Sequence, residues 1–173
     1  MGRVSELNRR LLISVVGGSR CDEDVAEAAA EVGGLLAEAG AVVICGGYGG
    51  VMEAVCRGAA AVGGLTVGLL RGYDHDEGNP YLSLALPTGL NLARNTLVAA
   101  AGRAVIAIDG SFGTLSEIAL ALNLNRPVVG LRSWTLDEAA RRVQLGRYRG
   151  VIHTAEDPES AVEMALELAG GSR

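Results

Sequence analysis

Residues 41–54 read AVVICGGYGGVMEA, and residues 104–118 read AVIAIDGSFGTLSEI. Each is an apolar run, one residue, Gly, Gly or Ser, an aromatic, Gly, Gly or Thr, an aliphatic residue and, two places on, Glu. Gly46 therefore aligns with Gly110, Tyr48 with Phe112, Gly49 with Gly113 and Glu53 with Glu117. A buried strand that ends in glycines and runs straight into a helix is the unit of a parallel α/β sheet. Around these two stretches the same alternation continues. Strand-like runs lie at 11–16, 65–70, 81–86 and 127–131, and helix-like runs at 22–39, 51–62, 92–101, 114–124, 136–143 and 158–169. Asp157-Pro158 is a helix start signal, and Gly40 and Gly63-Gly64 close two helices. The expected fold is Rossmann-like and three-layered, with a mostly parallel sheet and helices on both faces.

The length of 173 residues fits one domain spanning 1–173, with residues 1–10 as a flexible N-terminal extension. Hydrophobic residues make up 49% and aromatics only 3%, so the core is aliphatic. The net charge of −5 and the lack of a basic stripe argue against a nucleic-acid partner. All 15 basic residues are arginine. Without lysine the chain has no P-loop and no Schiff-base residue for pyridoxal phosphate. Cys21, Cys45 and Cys56 form neither a disulfide framework nor a zinc pattern. The sparse cysteines make a reducing cytoplasm the expected setting. No run is long enough to cross a bilayer, so no membrane partner is expected, and neither a metal nor a required cofactor is expected.

The chemistry expected of the glycine loops is anion binding. The first N–H groups of a helix lack internal partners and sit at the positive end of its dipole. Ligands of open α/β sheets lie beyond the carboxyl ends of the strands. The expected ligand is a phosphorylated small molecule, held by Gly17, Gly18 and Ser19 after the first strand, by Gly46, Gly47, Gly49, Gly50 and Glu53 after the second, and by Gly110, Ser111, Phe112, Gly113 and Thr114. Arg94 and Asn95, at the start of an apolar helix, would add a planar fork for phosphate or ribose. Tyr48 and Phe112 either stack on a ring or pack at loop tips. Thr114 and Glu117 also fit a capping box, which leaves Glu117 open between a catalytic carboxylate and a helix-start device. Ser111 with His153 as base is a remote hydrolase alternative. His75, among Asp74, Asp76 and Glu77, reads as part of a solvated acidic loop over 71–80.

GGYGGVMEAV, the Arg94-Asn95 pair and DGSFGTLSEIALAL together resemble the Lonely Guy-like superfamily, whose members are often labelled "lysine decarboxylase-like". Within it, Arg-Asn and GTLSEIALAL resemble the branch of the molybdenum cofactor carrier protein. The resemblance spans about residues 11–133. It implies a homodimer or higher homo-oligomer and two functional outcomes. One is a binding protein with molybdenum cofactor as cargo. The other is a nucleoside 5′-monophosphate phosphoribohydrolase that frees base and ribose 5-phosphate, with Arg94 and Glu117 as catalytic residues. The hydrolase hallmark is Pro-Gly-Gly-any-Gly-Thr-any-any-Glu. Gly110, Gly113, Thr114 and Glu117 match it, whereas Asp109 replaces Pro and Ser111 replaces the second Gly.

The helix over 114–124 is apolar nearly all round, which requires a partner beyond the sheet. One face is expected at Leu115, Ile118, Ala119 and Leu122, the other at Leu120, Ala121 and Leu124.

Overall fold

The computed structural model describes residues 10–135 and 151–171. Seven strands form one sheet: β1 (Leu12–Gly17), β2 (Val42–Cys45), β3 (Leu65–Leu70), β4 (Leu84–Pro87), β5 (Ala104–Ile108), β6 (Val128–Leu131) and β7 (Ile152–Ala155). Their order is β4-β3-β2-β1-β5-β6-β7, and every neighbouring pair is parallel. Among the described residues, five α-helices accompany it: α1 (Glu23–Glu38), α2 (Val51–Ala61), α3 (Arg94–Ala101), α4 (Phe112–Asn123) and α5 (Pro158–Gly171). The Rossmann-like α/β architecture expected from the alternating runs is present. The expected helix over 136–143 and residues 1–9 of the expected extension lie outside the described residues.

The sheet is buried on both faces because its strands are apolar at successive positions. In β5, Ala104, Ile106 and Ile108 join a core with α1, α2 and α5, while Val105 and Ala107 join a second core with Val98 and Ala99 of α3 and Ile118 and Ala121 of α4. Ser14 is the polar exception in β1. Its hydroxyl donates to the Val98 carbonyl (2.6 Å) and accepts from the Gly102 N–H (2.9 Å), which ties the end of α3 to the sheet.

Chain order reverses at β1: β2, β3 and β4 lie to one side, β5, β6 and β7 to the other. The crevice between the ends of β1 and β5 is the switch point, where open α/β sheets bind ligands. Gly17 and Ile108 pair there in register.

Three expectations need correction. The strand expected at 81–86 is displaced to Leu84–Pro87, because Thr66 and Ser83 exchange side-chain hydrogen bonds and hold the start of the segment out of the ladder. Helix α4 begins at Phe112 with Ser111 as N-cap. Thr114 thus lies inside the first turn, and no capping box forms. The faces of α4 also divide differently. Thr114, Glu117, Ile118 and Ala121 point inward at helical spacing, while Ala119 and Leu124 are exposed.

Candidate functional site

The glycines after β1 and β2 serve packing first. Gly50, at φ +64, has no room for a Cβ, which would meet the Gly18 carbonyl at 2.4 Å. The Val51 N–H donates to that carbonyl (3.0 Å), so the first N–H of α2 is already satisfied. Gly17 lies against Val51 and the Ile108 carbonyl, where a side chain cannot fit. Gly47 takes φ +80, and its N–H donates to the Cys45 thiol (3.3 Å). Asn79 holds the loop from outside, its N–H donating to the Gly47 carbonyl (2.8 Å) and its amide to the Tyr48 carbonyl (3.1 Å). Ser19 is exposed beside Gly49, and the Glu53 carboxylate folds back toward Gly49.

Gly46 has a different reason. A Cβ there would stand 2.7 Å from Nη1 and 2.9 Å from Nη2 of Arg94. The missing side chain is the space in which the guanidinium lies. Arg94 is only 2% exposed and Glu117 7%. Arg94 Nη1 donates to Glu117 Oε1 at 3.4 Å, a loose ion pair. Burial pushes the Glu117 carboxyl up to about 7, against the opposing pull of Arg94 and Arg71. Burial also lowers the Arg94 pKa, with Glu117 raising it and Arg71 adding to the lowering.

Around this pair the polar groups are incompletely used. Asn95 donates to Ser116 Oγ (3.2 Å), and Ser116 donates to the Gly113 carbonyl (2.7 Å). Arg94 Nε, Asn95 Oδ1 and Thr114 Oγ1 are buried and have no hydrogen-bond partner. Buried polar atoms in this state are rare in folded proteins and call for a reason. Here three of them gather where α3 and α4 begin. The Phe112, Gly113 and Thr114 N–H groups, in the first turn of α4, have no intrahelical partner, and Ser111 gives them no side-chain capping bond. At Gly113 an added Cβ would meet nothing within 4 Å; this glycine is not there to make room for a neighbour. At Gly110, φ is +110 and a Cβ would strike Thr114.

Asp109 precedes the Gly110–Thr114 turn at φ +47, a strained value for a non-glycine residue. It is pinned by its N–H to the Leu131 carbonyl (3.1 Å) and by Ser133 Oγ donating to its own carbonyl (2.7 Å). It lines a cavity of about 320 Å³ with Arg132, Ser133 and Trp134. Phe112, 80% exposed, stacks on Trp134 with ring centroids 6.1 Å apart. Tyr48 lies in the other direction, on the β3 side of the cleft. His153 sits on β7, paired in register with Val129 rather than at the Ser111 loop.

On the β3 side a cavity of about 570 Å³ opens between Ser19, Tyr48, Arg71, Tyr73 and Glu77. Arg71, Tyr73 and Glu77 were absent from the sequence candidates because the segment over 71–80 reads as an acidic surface loop. Its only signal was a run of turn residues directly after a buried strand. Cys45 and Cys56 lie beneath the second loop with their sulfurs 3.6 Å apart. The hydrogen bond with Cys56 and burial hold the Cys45 thiol well above its ordinary value. Among the described residues, no group of three or more His, Cys, Asp or Glu is placed to hold a metal ion, and no helix is long and apolar enough to cross a membrane.

The family model described as LDcluster4, the SLOG cluster4 family, matches residues 10–162. An uncharacterized protein of Archaeoglobus fulgidus is 40% identical over 154 residues, covering 89% of this chain and 93% of that one. The solved structure of the molybdenum cofactor binding protein from the phototrophic bacterium Rippkaea orientalis superposes with a TM-score of 0.82 at 31% identity, over 92% of this chain and 98% of that one. The molybdenum cofactor carrier protein of Chlamydomonas reinhardtii does so with a TM-score of 0.78 at 29% identity, over 94% and 99%.

Proposed function

The chain belongs to the SLOG cluster4 family, and from that membership we propose that it binds a phosphorylated, nucleotide-like small molecule at its strand-to-helix loops, as a carrier with molybdenum cofactor as cargo. The observation that carries this reading is the gathering of unpartnered polar groups at the first turns of α3 and α4. The likeness to the Rippkaea orientalis and Chlamydomonas reinhardtii proteins adds the class of cargo. In this reading the Phe112, Gly113 and Thr114 N–H groups and Thr114 Oγ1 receive the phosphate. Gly110 and Ser111 shape the entry. Arg94 and Asn95 hold the rear wall, with Arg94 supplying its charge through Nε. Gly17, Gly18 and Ser19 and the Gly46–Gly50 loop with Glu53 form the opposite wall.

The direct test is titration of the full chain with molybdenum cofactor released from a molybdoenzyme under anaerobic conditions. The expected result is saturable retention of molybdenum and pterin together on size exclusion. Passage of both in the small-molecule fraction at tens of micromolar protein would overturn the cargo assignment.

A second reading is favoured by one feature. A buried carboxyl poised near pH 7 beside an arginine has the properties of a general acid or base. In N-glycosidic hydrolysis, Glu117 would stabilise the developing oxocarbenium charge or deprotonate the attacking water. Release of ribose 5-phosphate from a nucleoside monophosphate by the wild type, lost in Glu117→Gln with binding retained, would establish it. No release by either protein leaves the carrier reading.

A further inference from the structure

The cavity on the β3 side is built from groups that complement a specific ring edge. Tyr48 is its hinge. Its hydroxyl donates to Glu77 Oε2 (2.9 Å) and accepts from the Arg71 N–H (2.7 Å). The Arg71 guanidinium lies 5.8 Å over the Tyr48 ring, a cation–π arrangement that holds the cation in place. Glycines seat the other two walls. A Cβ on Gly72 would stand 2.2 Å from Glu77 Oε1, and one on Gly89, at φ +66, would stand 2.4 Å from the Tyr73 ring. The carboxylate and the aromatic ring thus rest on bare backbone. Tyr73 nevertheless remains 86% exposed, which leaves a ring face available for stacking.

The cavity reaches the approach to α3. Asn91 lines it, donates its N–H to the Arg71 carbonyl (3.1 Å), and leads directly into Arg94. Arg71 is near enough to depress the pKa of both Arg94 and Glu117.

Resting on the proposed binding function, we propose that Arg71, Tyr73 and Glu77 form the ring-recognition half of the cleft and select a 2-amino-4-oxopyrimidine edge, as in pterins and guanine, over adenine. Such an edge presents a carbonyl, a ring N–H and an amino group in sequence. The carbonyl accepts from Arg71, and the two N–H donors meet the Glu77 carboxylate, whose Oε1 is free of the Tyr48 bond. Adenine presents a lone pair where the ring N–H should be, directly against the carboxylate. Tyr73 stacks on either ring and so does not discriminate.

Calorimetric titration of the full chain with guanosine, inosine and adenosine 5′-monophosphates and with neopterin monophosphate tests this. Guanosine monophosphate and the pterin should bind roughly tenfold to a hundredfold more tightly than adenosine monophosphate, as for loss of a charge-assisted hydrogen bond. Inosine monophosphate, without the amino group, should fall between. Glu77→Gln and Gly72→Ala should both remove the preference, weakening guanosine monophosphate and pterin binding while adenosine monophosphate affinity rises modestly as the carboxylate opposite its lone pair is lost. The first removes the charge and the second displaces it. Tyr73→Ala should weaken all four ligands alike. Equal affinities for the guanine and adenine nucleotides, or an adenine preference, overturn the ring assignment and leave the phosphate cradle standing. Absence of binding by all four at millimolar concentration overturns both. A guanine and pterin preference in a protein that fails to retain molybdenum cofactor sustains the ring assignment and removes the cargo. Tight guanosine monophosphate beside weak pterin binding identifies a guanine nucleotide as the source of the edge.

Discussion

Glu117 is the residue whose chemistry departs furthest from its sequence appearance. The Thr-Leu-Ser-Glu spacing leaves Glu117 open between a helix cap and a catalytic carboxylate; the carboxyl turns inward to Arg94 and its pKa rises to about 7. A folded-state pKa above the unfolded one means that the folded chain binds the extra proton. The associated stability is fully present below about pH 4.5 and is lost as pH rises through about 7, because the unfolded chain ionises first. Integrated over that interval, the loss is on the order of 3 kcal/mol as an upper figure. Melting curves of wild type should therefore fall between pH 5 and 8 more steeply than those of Glu117→Gln, which has no proton to release there. Parallel slopes for the two proteins would contradict the raised pKa. Glu117→Ala likewise has no proton to release, so it should cost more stability at pH 5, where the native carboxyl is neutral, than at pH 8, where the native carboxylate is ionised and buried. Chemical denaturation at the two pH values measures the difference.

At the scale of elements, most of the sheet was readable from sequence because a parallel strand buried on both faces must be apolar at every position. Val42–Cys45, Ala104–Ile108 and Val128–Leu131 meet that requirement. The edge strand Leu84–Pro87 alternates exposed and half-buried residues, so its bounds depended on tertiary hydrogen bonds to Thr66 that no local pattern encodes. The strand-to-helix glycine loop of the proposed phosphate site was readable as a loop because glycines between an apolar run and a helix mark the turn, and its role in binding rests on the proposal. The cavity on the β3 side was not readable, because Tyr73 and Glu77 owe their placement to Gly89 and Gly72, seventeen residues apart in sequence and bonded through the Gly89 N–H to the Gly72 carbonyl at 2.9 Å. Two glycines, at the starts of α4 and α2, separate stability from binding. Gly113→Ala has open space and a helical backbone, and should stabilise by about 0.5–1 kcal/mol while its methyl covers the helix start and weakens phosphate binding. Gly50→Ala clashes with the β1 loop and should destabilise. A Gly113→Ala protein with unchanged affinity for guanosine monophosphate would remove the α4 first turn from the site.

For the molecule as a whole, the layer of α3 and α4 has no cover among the described residues. Helix α5 packs with α1 on the opposite face of the sheet. Leu92 is 64% exposed, and Leu97, Ala119 and Leu124 are exposed with it. The proposed homodimer would bury this patch about a twofold axis. Light scattering at 100 µM, roughly the range where a modest interface saturates, should give twice the chain mass, and Leu97→Glu with Leu124→Glu should return it to one. A monomeric wild type at that concentration would rule the arrangement out. The thiols supply a separate readout of motion across the whole chain. Cys21 is half-buried, whereas Cys45 and Cys56 are sealed under the Gly46–Gly50 loop. Alkylation by iodoacetamide should therefore occur in two phases, a first at Cys21 and a slow second at the pair, whose rate counts how often the loop lifts from β2. The chain carries its own molecular stopwatch, and anything seated in the cleft should slow its second hand.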